Sequence, residues 1–243
     1  IVPDHMGCGF SDMPDDNRYS YCLASRVRDL EALVDHLRLG ANLTLVLHDW
    51  GGMVGMAFAC RHPERIKRLI VTNTSAFHLP KTKSMPLALK ICRDSALGAF
   101  LVRGCNLFAR SALTVCAKRR PLTPGARAGY LAPYDSWSHR RAVLRFVQDI
   151  PLATGDRSYD IVSGVERGLT LFRDLPMLIA WGGRDFVFDD HFLDEWRTRF
   201  PAAEVHRFPD VGHYVLDDAW EDVVPLVYDF LGRHPIEGSD AHC

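Results

Sequence analysis

The sequence predicts an α/β fold with a mostly parallel sheet and an inserted helical cap. Three observations carry that prediction. Apolar, β-branched runs of strand length recur at Leu43–Leu47, Leu69–Thr72, Pro176–Trp181 and Glu204–Phe208. Helical stretches separate most of them, which is the succession a parallel sheet needs for its crossovers. From about 76 to 165 the alternation stops, and the apolar clusters there are helical in flavour.

The first residues, Ile1-Val2-Pro3-Asp4, look like the end of a strand running into a glycine-containing loop, Gly7 to Pro14. From Tyr21 to Leu39, apolar residues at Leu23, Val27, Leu30, Leu33, Val34 and Leu37 recur every three or four positions among charged ones. That spacing is an amphipathic helix, with Ser20 as its start and Gly40 as its stop. Leu43–Leu47 then leads into His48-Asp49-Trp50-Gly51-Gly52 and a buried helix, Met53 to Cys60, which His62-Pro63 ends. A strand, a sharp glycine turn and a helix together push the turn residue's side chain out over the sheet edge. The presented residue is Asp49. Arg68–Asn73 is the next strand, Pro176–Trp181 resumes the sheet, and a helix His191–Arg199 and the strand Glu204–Phe208 follow. The last helix runs from about Asp217 to Leu231. The domain reading is a core over 1–75, a helical cap over 76–165, and the rest of the core over 166–243.

Composition bounds the function. At 243 residues, 47% hydrophobic and 24% charged, the chain suits one large globular domain with an inserted subdomain. Its net charge of -1 gives no bulk argument for nucleic acid. The total hides an asymmetry: fourteen Lys and Arg against five Asp and no Glu make 76–165 basic by +9. Seven cysteines, Cys8, Cys22, Cys60, Cys92, Cys105, Cys116 and Cys243, are scattered without CxxC spacing, which fits a reducing, cytoplasmic setting. Asn42-Leu43-Thr44 and Asn73-Thr74-Ser75 match the glycosylation pattern by chance, since both sit on expected core strands. No membrane-spanning run, cofactor or metal is expected.

Three titratable residues fall just past three parallel strands: Asp49, Asp185 and His213. Ligand chemistry in open α/β sheets gathers at that edge, and nucleophile, acid, histidine is the α/β-hydrolase order. Singly they read as a helix cap, a turn residue and a surface histidine. An aspartate at the turn is already ionised at neutral pH, with an ordinary pKa of about 3.9, so it needs no base to become a nucleophile. Asp49 is therefore expected to attack an electrophilic carbon and form an ester, which water activated by His213 and oriented by Asp185 then resolves. Trp50, a donor without acceptor capacity, is expected to hold a leaving group or oxyanion, against the alternative of a packed core aromatic. His48 is expected to be structural.

The stretches Pro3–Asp12, His48–Gly52, Gly183–Asp185 and Gly212–Tyr214 resemble the haloalkane dehalogenase branch of the α/β-hydrolase superfamily. One subgroup of that branch places its acid where Asn73 stands here, so Asp185 is the candidate acid. The phrases Tyr130–Trp137, Arg145–Pro151 and Trp181–Phe186 are similar to the β-lactone decarboxylases of bacterial long-chain olefin biosynthesis. That resemblance implies a cis-β-lactone bearing two alkyl chains, giving carbon dioxide and an alkene. It also implies contact of the basic cap with a membrane surface or a multi-enzyme assembly. The alternatives are hydrolytic dehalogenation, then epoxide hydrolysis with Tyr130, Tyr134 or Tyr159 as proton donor, and last a non-catalytic binding protein. The family further carries a strand, between the ones ending at Pro3 and Leu47, whose His-Gly loop supplies an oxyanion donor. That strand is not read in this sequence, so the chain is expected to be part of a longer protein, with a gap in the sheet and low activity alone.

Overall fold

A computed structural model describes residues 1–236. Its sheet has four parallel strands in sequence order: β1 (Leu43–Asp49), β2 (Ile66–Thr74), β3 (Met177–Gly182) and β4 (Glu204–Phe208). Each crossover is helical, as parallel pairing requires. Helix α1 (Leu23–His36) precedes β1, and α2 (Trp50–Arg61) joins β1 to β2. All six helices between β2 and β3 form the insertion: α3 (Leu87–Asp94), α4 (Ala96–Arg103), α5 (Leu107–Val115), α6 (Pro124–Leu131), α7 (Arg141–Gln148) and α8 (Tyr159–Gly168). Helix α9 (Asp190–Arg199) links β3 to β4, and α10 (Val215–Arg233) ends the described chain.

Both faces of the sheet are covered, which explains why its strands read as continuous apolar runs. On one face Leu47, Leu69, Val71, Ile179 and Trp181 pack with Leu23 and Val27 of α1, Val54 and Phe58 of α2, Trp196 of α9 and Val162 of α8. On the other, Ala180 meets Val215 and Val223 of α10, and Ile70 and Leu178 meet Phe230. The insertion is thus tied into the main core through α8.

One expectation fails: Ile1 to Pro3 joins no strand, and Ile1 and Val2 are exposed. The four strands pair consecutively, and β1 lies at an edge of the sheet, with Val46 60% exposed. Helix α1 stops before Gly40 because Arg38 turns left-handed at φ 53°. Helix α10 starts earlier than Asp217 and is kinked at Ala219.

Candidate active site

Asp49 ends β1 in a conformation that side chains rarely adopt, φ 47° and ψ -125°. Such strain survives only where the surroundings over-determine it. Here Thr74 does so: its Oγ1 donates to the Asp49 carbonyl and accepts from the Gly52 amide at 3.1 Å. A side chain at Gly52 would put Cβ 2.1 Å from that oxygen and 2.4 Å from the Ser75 carbonyl, whereas one at Gly51 would meet open space. Only the second glycine of the pair is therefore needed for close packing.

Asp185, just past β3, and His213, just past β4, form a buried pair. Nδ1 of His213 donates to Asp185 Oδ2 at 2.6 Å, and the Val187 amide donates to Oδ1 at 2.8 Å. Burial works against the Asp185 charge, but His213 and the amides of Val187 and Phe188 outweigh it and hold the carboxyl below its ordinary range. Burial also opposes a charged His213, yet Asp185, and behind it Asp49, hold the imidazole above the ordinary histidine value. Asp49 is different. Burial lifts its carboxyl above the usual value, and His213 and the Trp50 amide only partly counter this.

The structure thus brings Asp49, Asp185 and His213 into one electrostatic neighbourhood. Asn73, at the position where the resemblance allowed another acid, instead bridges the site. It accepts from the Gly182 amide at 2.7 Å and donates to the carbonyls of Gly182 and Phe188 at 2.9 and 3.1 Å, fixing the loop that carries Asp185. His48 lies 4.6 Å from the His213 ring and hydrogen-bonds Thr72 Oγ1 at 2.9 Å. Burial, with His213 beside it, pushes His48 down to about 3, so it is neutral and wedges rather than charges the site. The half-buried Trp50 packs on Phe146 of α7, ring centroids 5.4 Å apart. Phe188 stacks on His213 at 5.9 Å.

The three cap tyrosines are already engaged. Tyr130 stacks on Tyr214 at 5.0 Å and donates to Asp217, and Tyr134 contacts Cys8. Tyr159 stacks on His78 at 4.1 Å. Sequence reading missed Phe146, Phe188, Asn73 and Cys116, whose thiol burial and the nearby Asp185 and Asp49 push up to about 12. None has a local signal, since each gains its role from contacts distant in sequence. No group of residues fit to hold a metal occurs among the described residues. Their six cysteines are free, and Cys243 lies outside them.

Residues 1–219 match the alpha/beta hydrolase fold family. A Shewanella oneidensis protein named cis-3-alkyl-4-alkyloxetan-2-one decarboxylase is 55% identical over 95% of this chain and 73% of its own length. A Xanthomonas campestris protein of the same name is 44% identical over 97% and 80%. The crystal structure of the haloalkane dehalogenase DatA from Agrobacterium tumefaciens C58 superposes with a TM-score of 0.81 at 24% identity, covering 96% of this chain and 79% of that one.

Proposed function

This chain belongs to the alpha/beta hydrolase fold family, and from that premise we propose that it decarboxylates cis-3,4-dialkyl β-lactones to alkenes. The observation that carries the reading is the 55% identity to a protein of that named activity across 95% of the chain, against 24% to the dehalogenase structure. The site's chemistry supports it. In one balanced sequence, an Asp49 carboxylate oxygen attacks the alkyl-bearing ring carbon bonded to the ring oxygen, not the carbonyl carbon. The carbon–oxygen bond breaks and its electron pair stays on the released carboxylate. Carbon dioxide then departs; the electrons of its carbon–carbon bond form the alkene and expel Asp49 unchanged. No water is consumed.

That balance changes the part His213 plays. A haloalkane ester needs water to free Asp49, and His213 oriented by Asp185 is suited to activate it. A lactone needs none, so His213, biased toward its charged form by Asp185, instead stabilises the carboxylate that ring opening releases. Trp50 walls this space with Phe146. Dehalogenation is the second reading, favoured by the same Asp49–Trp50 pair.

Offering the protein a cis-β-lactone and a 1-bromoalkane separately distinguishes the two. Alkene and carbon dioxide from the lactone support the proposal; bromide without alkene overturns it.

The insertion exposes Leu87, Leu97, Phe100, Leu107 and Trp137, with Arg103 over the Trp137 ring at 4.4 Å. Apolar side chains among basic ones suit an anionic lipid surface. Among the described residues no helix is long and apolar enough to cross a membrane. Flotation with phosphatidylglycerol vesicles but not neutral ones is the expected result, and flotation with neither leaves a protein partner as the occupant.

A further inference from the structure

Helix α10 carries near its start a carboxylate that the proposed reaction leaves unused. Asp218 is completely buried, and its oxygens accept from four backbone amides. These are Gly212 at 2.8 Å, Lys118 at 2.7 Å, Arg119 at 3.0 and 3.1 Å, and Arg120 at 3.1 Å. Burial works against its charge, but the amides outweigh burial and keep the carboxyl ionised.

Two distant chain segments meet on this one side chain. Lys118 to Arg120 follow α5 in the helical insertion, while Gly212 directly precedes His213. On the far side of His213, the Tyr214 amide donates to the Cys116 carbonyl at 2.9 Å. His213 is therefore bracketed: its predecessor is pinned to Asp218 and its successor to the segment that Asp218 holds. The bracket has no slack, because a Cβ on Gly212 would lie 2.3 Å from the Cys116 carbonyl and 2.8 Å from Lys118 Cγ. Immediately after Asp218, α10 breaks helical geometry at Ala219, φ -144° and ψ 29°. The helix thus gives up regularity at the residue next to this carboxylate, a local departure that functional constraint accounts for.

We infer that Asp218 is a positioning residue that sets His213 against Asp185 and Asp49, and that 116–120 of the insertion belongs to the catalytic scaffold. The inference rests on the part assigned to His213 in the proposed reaction. Catalytic geometry is lost steeply with displacement, a misplacement of about 1 Å costing roughly a hundredfold in rate. Loss of the four-amide anchor frees the His213 loop to move by that order.

The test uses the full-length enzyme. Asp218→Asn keeps the shape but turns an NH2 toward amide donors. Its kcat for alkene release is expected to fall about 100-fold, with KM within about twofold. The His213 ring titration, followed by NMR of Cε1–H, is expected to move down. The titratable groups facing that ring are Asp185, Asp49, His48 and Tyr214; Asp185 raises it most, ahead of Asp49, and the Asp185 bond is the one loosened. Asp218→Ser serves if the asparagine variant does not fold. Arg233→Ala removes the surface ion pairs to Glu204 and Asp229 at the far end of α10 but keeps the Asp218 anchor, and is expected to leave kcat unchanged. A folded Asp218 variant with unaltered kcat and unaltered His213 titration overturns the inference. His213→Ala, run alongside, separates the failures: if it stays active the reading of the site is wrong, and if it alone is inactive only Asp218's role is.

Discussion

The His213 imidazole donates to the Asp185 carboxylate at 2.6 Å, with side-chain exposures of 10% and 0%. Each partner shifts the other in the direction that favours the ion pair. Asp185, depressed, contributes stability that is present above the ordinary aspartate value and lost as pH falls through its folded one. His213, raised, contributes stability that is present below the ordinary histidine value and lost as pH rises through its folded one. The full contribution therefore spans about pH 4 to 6.5. Asp185→Asn is expected to lower stability by about 3 kcal/mol on that plateau and by less at pH 9. Urea unfolding at several pH values measures it, and a loss that grows toward pH 9 contradicts the pairing.

Isotope labelling separates the two fates of an Asp49 ester. Fragmentation of a lactone returns the original carboxylate, whereas water attack on the ester exchanges one of its oxygens. After many lactone turnovers in heavy-oxygen water, the peptide containing Asp49 is expected to show no mass gain. Incorporation of one heavy oxygen means that water resolves the ester and that the fragmentation scheme is wrong.

The nucleophile works against the fold. Burial lifts the Asp49 carboxyl above its ordinary value, so above about pH 4 the folded state disfavours a charge that the unfolded chain carries freely. Its φ of 47° adds backbone strain. Asp49→Asn removes the charge term and is expected to raise the melting temperature at pH 7 while abolishing alkene release, with the stability gain fading below about pH 4. Calorimetry at pH 7 and pH 4 reads both; a lower melting temperature at pH 7 would mean that the ionised carboxylate stabilises the folded state.

The strands and the turns that carry the three candidate site residues are legible because each follows an apolar run and lies at or next to a glycine turn, a signal confined to a few neighbouring residues. Strand β4 matches its sequence reading at both ends. What was not legible depends on long-range contacts. Asn73 looks like any polar residue ending a strand until it meets Gly182, 109 residues away. Asp218 looks like a helix-start acid until Lys118 arrives from the insertion. Ile1 to Val2 has strand composition but no partner strand, and composition alone does not make a ladder.

Arg26 offers a test of what a buried charge contributes. Its guanidinium stacks on Phe146 at 3.3 Å from the ring centroid, yet all three of its nitrogens are buried without a hydrogen-bond partner. A cation–π contact returns about 2 kcal/mol at best, less than the several that desolvating the charge costs. Arg26→Met, which keeps the volume, is expected to be at least as stable as the parent. Arg26→Ala, which leaves a cavity beneath Phe146, is expected to fall about 2 kcal/mol below the Met variant. Chemical denaturation of both decides it, and a Met variant weaker than the parent by more than about 1 kcal/mol means that an uncounted partner holds the guanidinium.

The two glycines after Asp49 are alike in sequence and opposite in setting. At Gly52 a Cβ would stand 2.1 Å from Thr74 Oγ1, the hydroxyl that also holds the Asp49 carbonyl, and 2.4 Å from the Ser75 carbonyl, which is backbone and cannot swing away. Gly52→Ala must therefore push α2 off the end of β2, at a cost of about 2 kcal/mol or more, and tilt the turn that presents Asp49. At Gly51 nothing lies within 4 Å of the added carbon, and the residue sits in the first turn of α2. There alanine gains helix propensity and is expected to be neutral or to stabilise by about 0.5 kcal/mol. Measuring unfolding and alkene release on both variants tests the elbow directly. Equal effects at the two positions would mean that the approach of α2 to Thr74 does not set the geometry of the nucleophile.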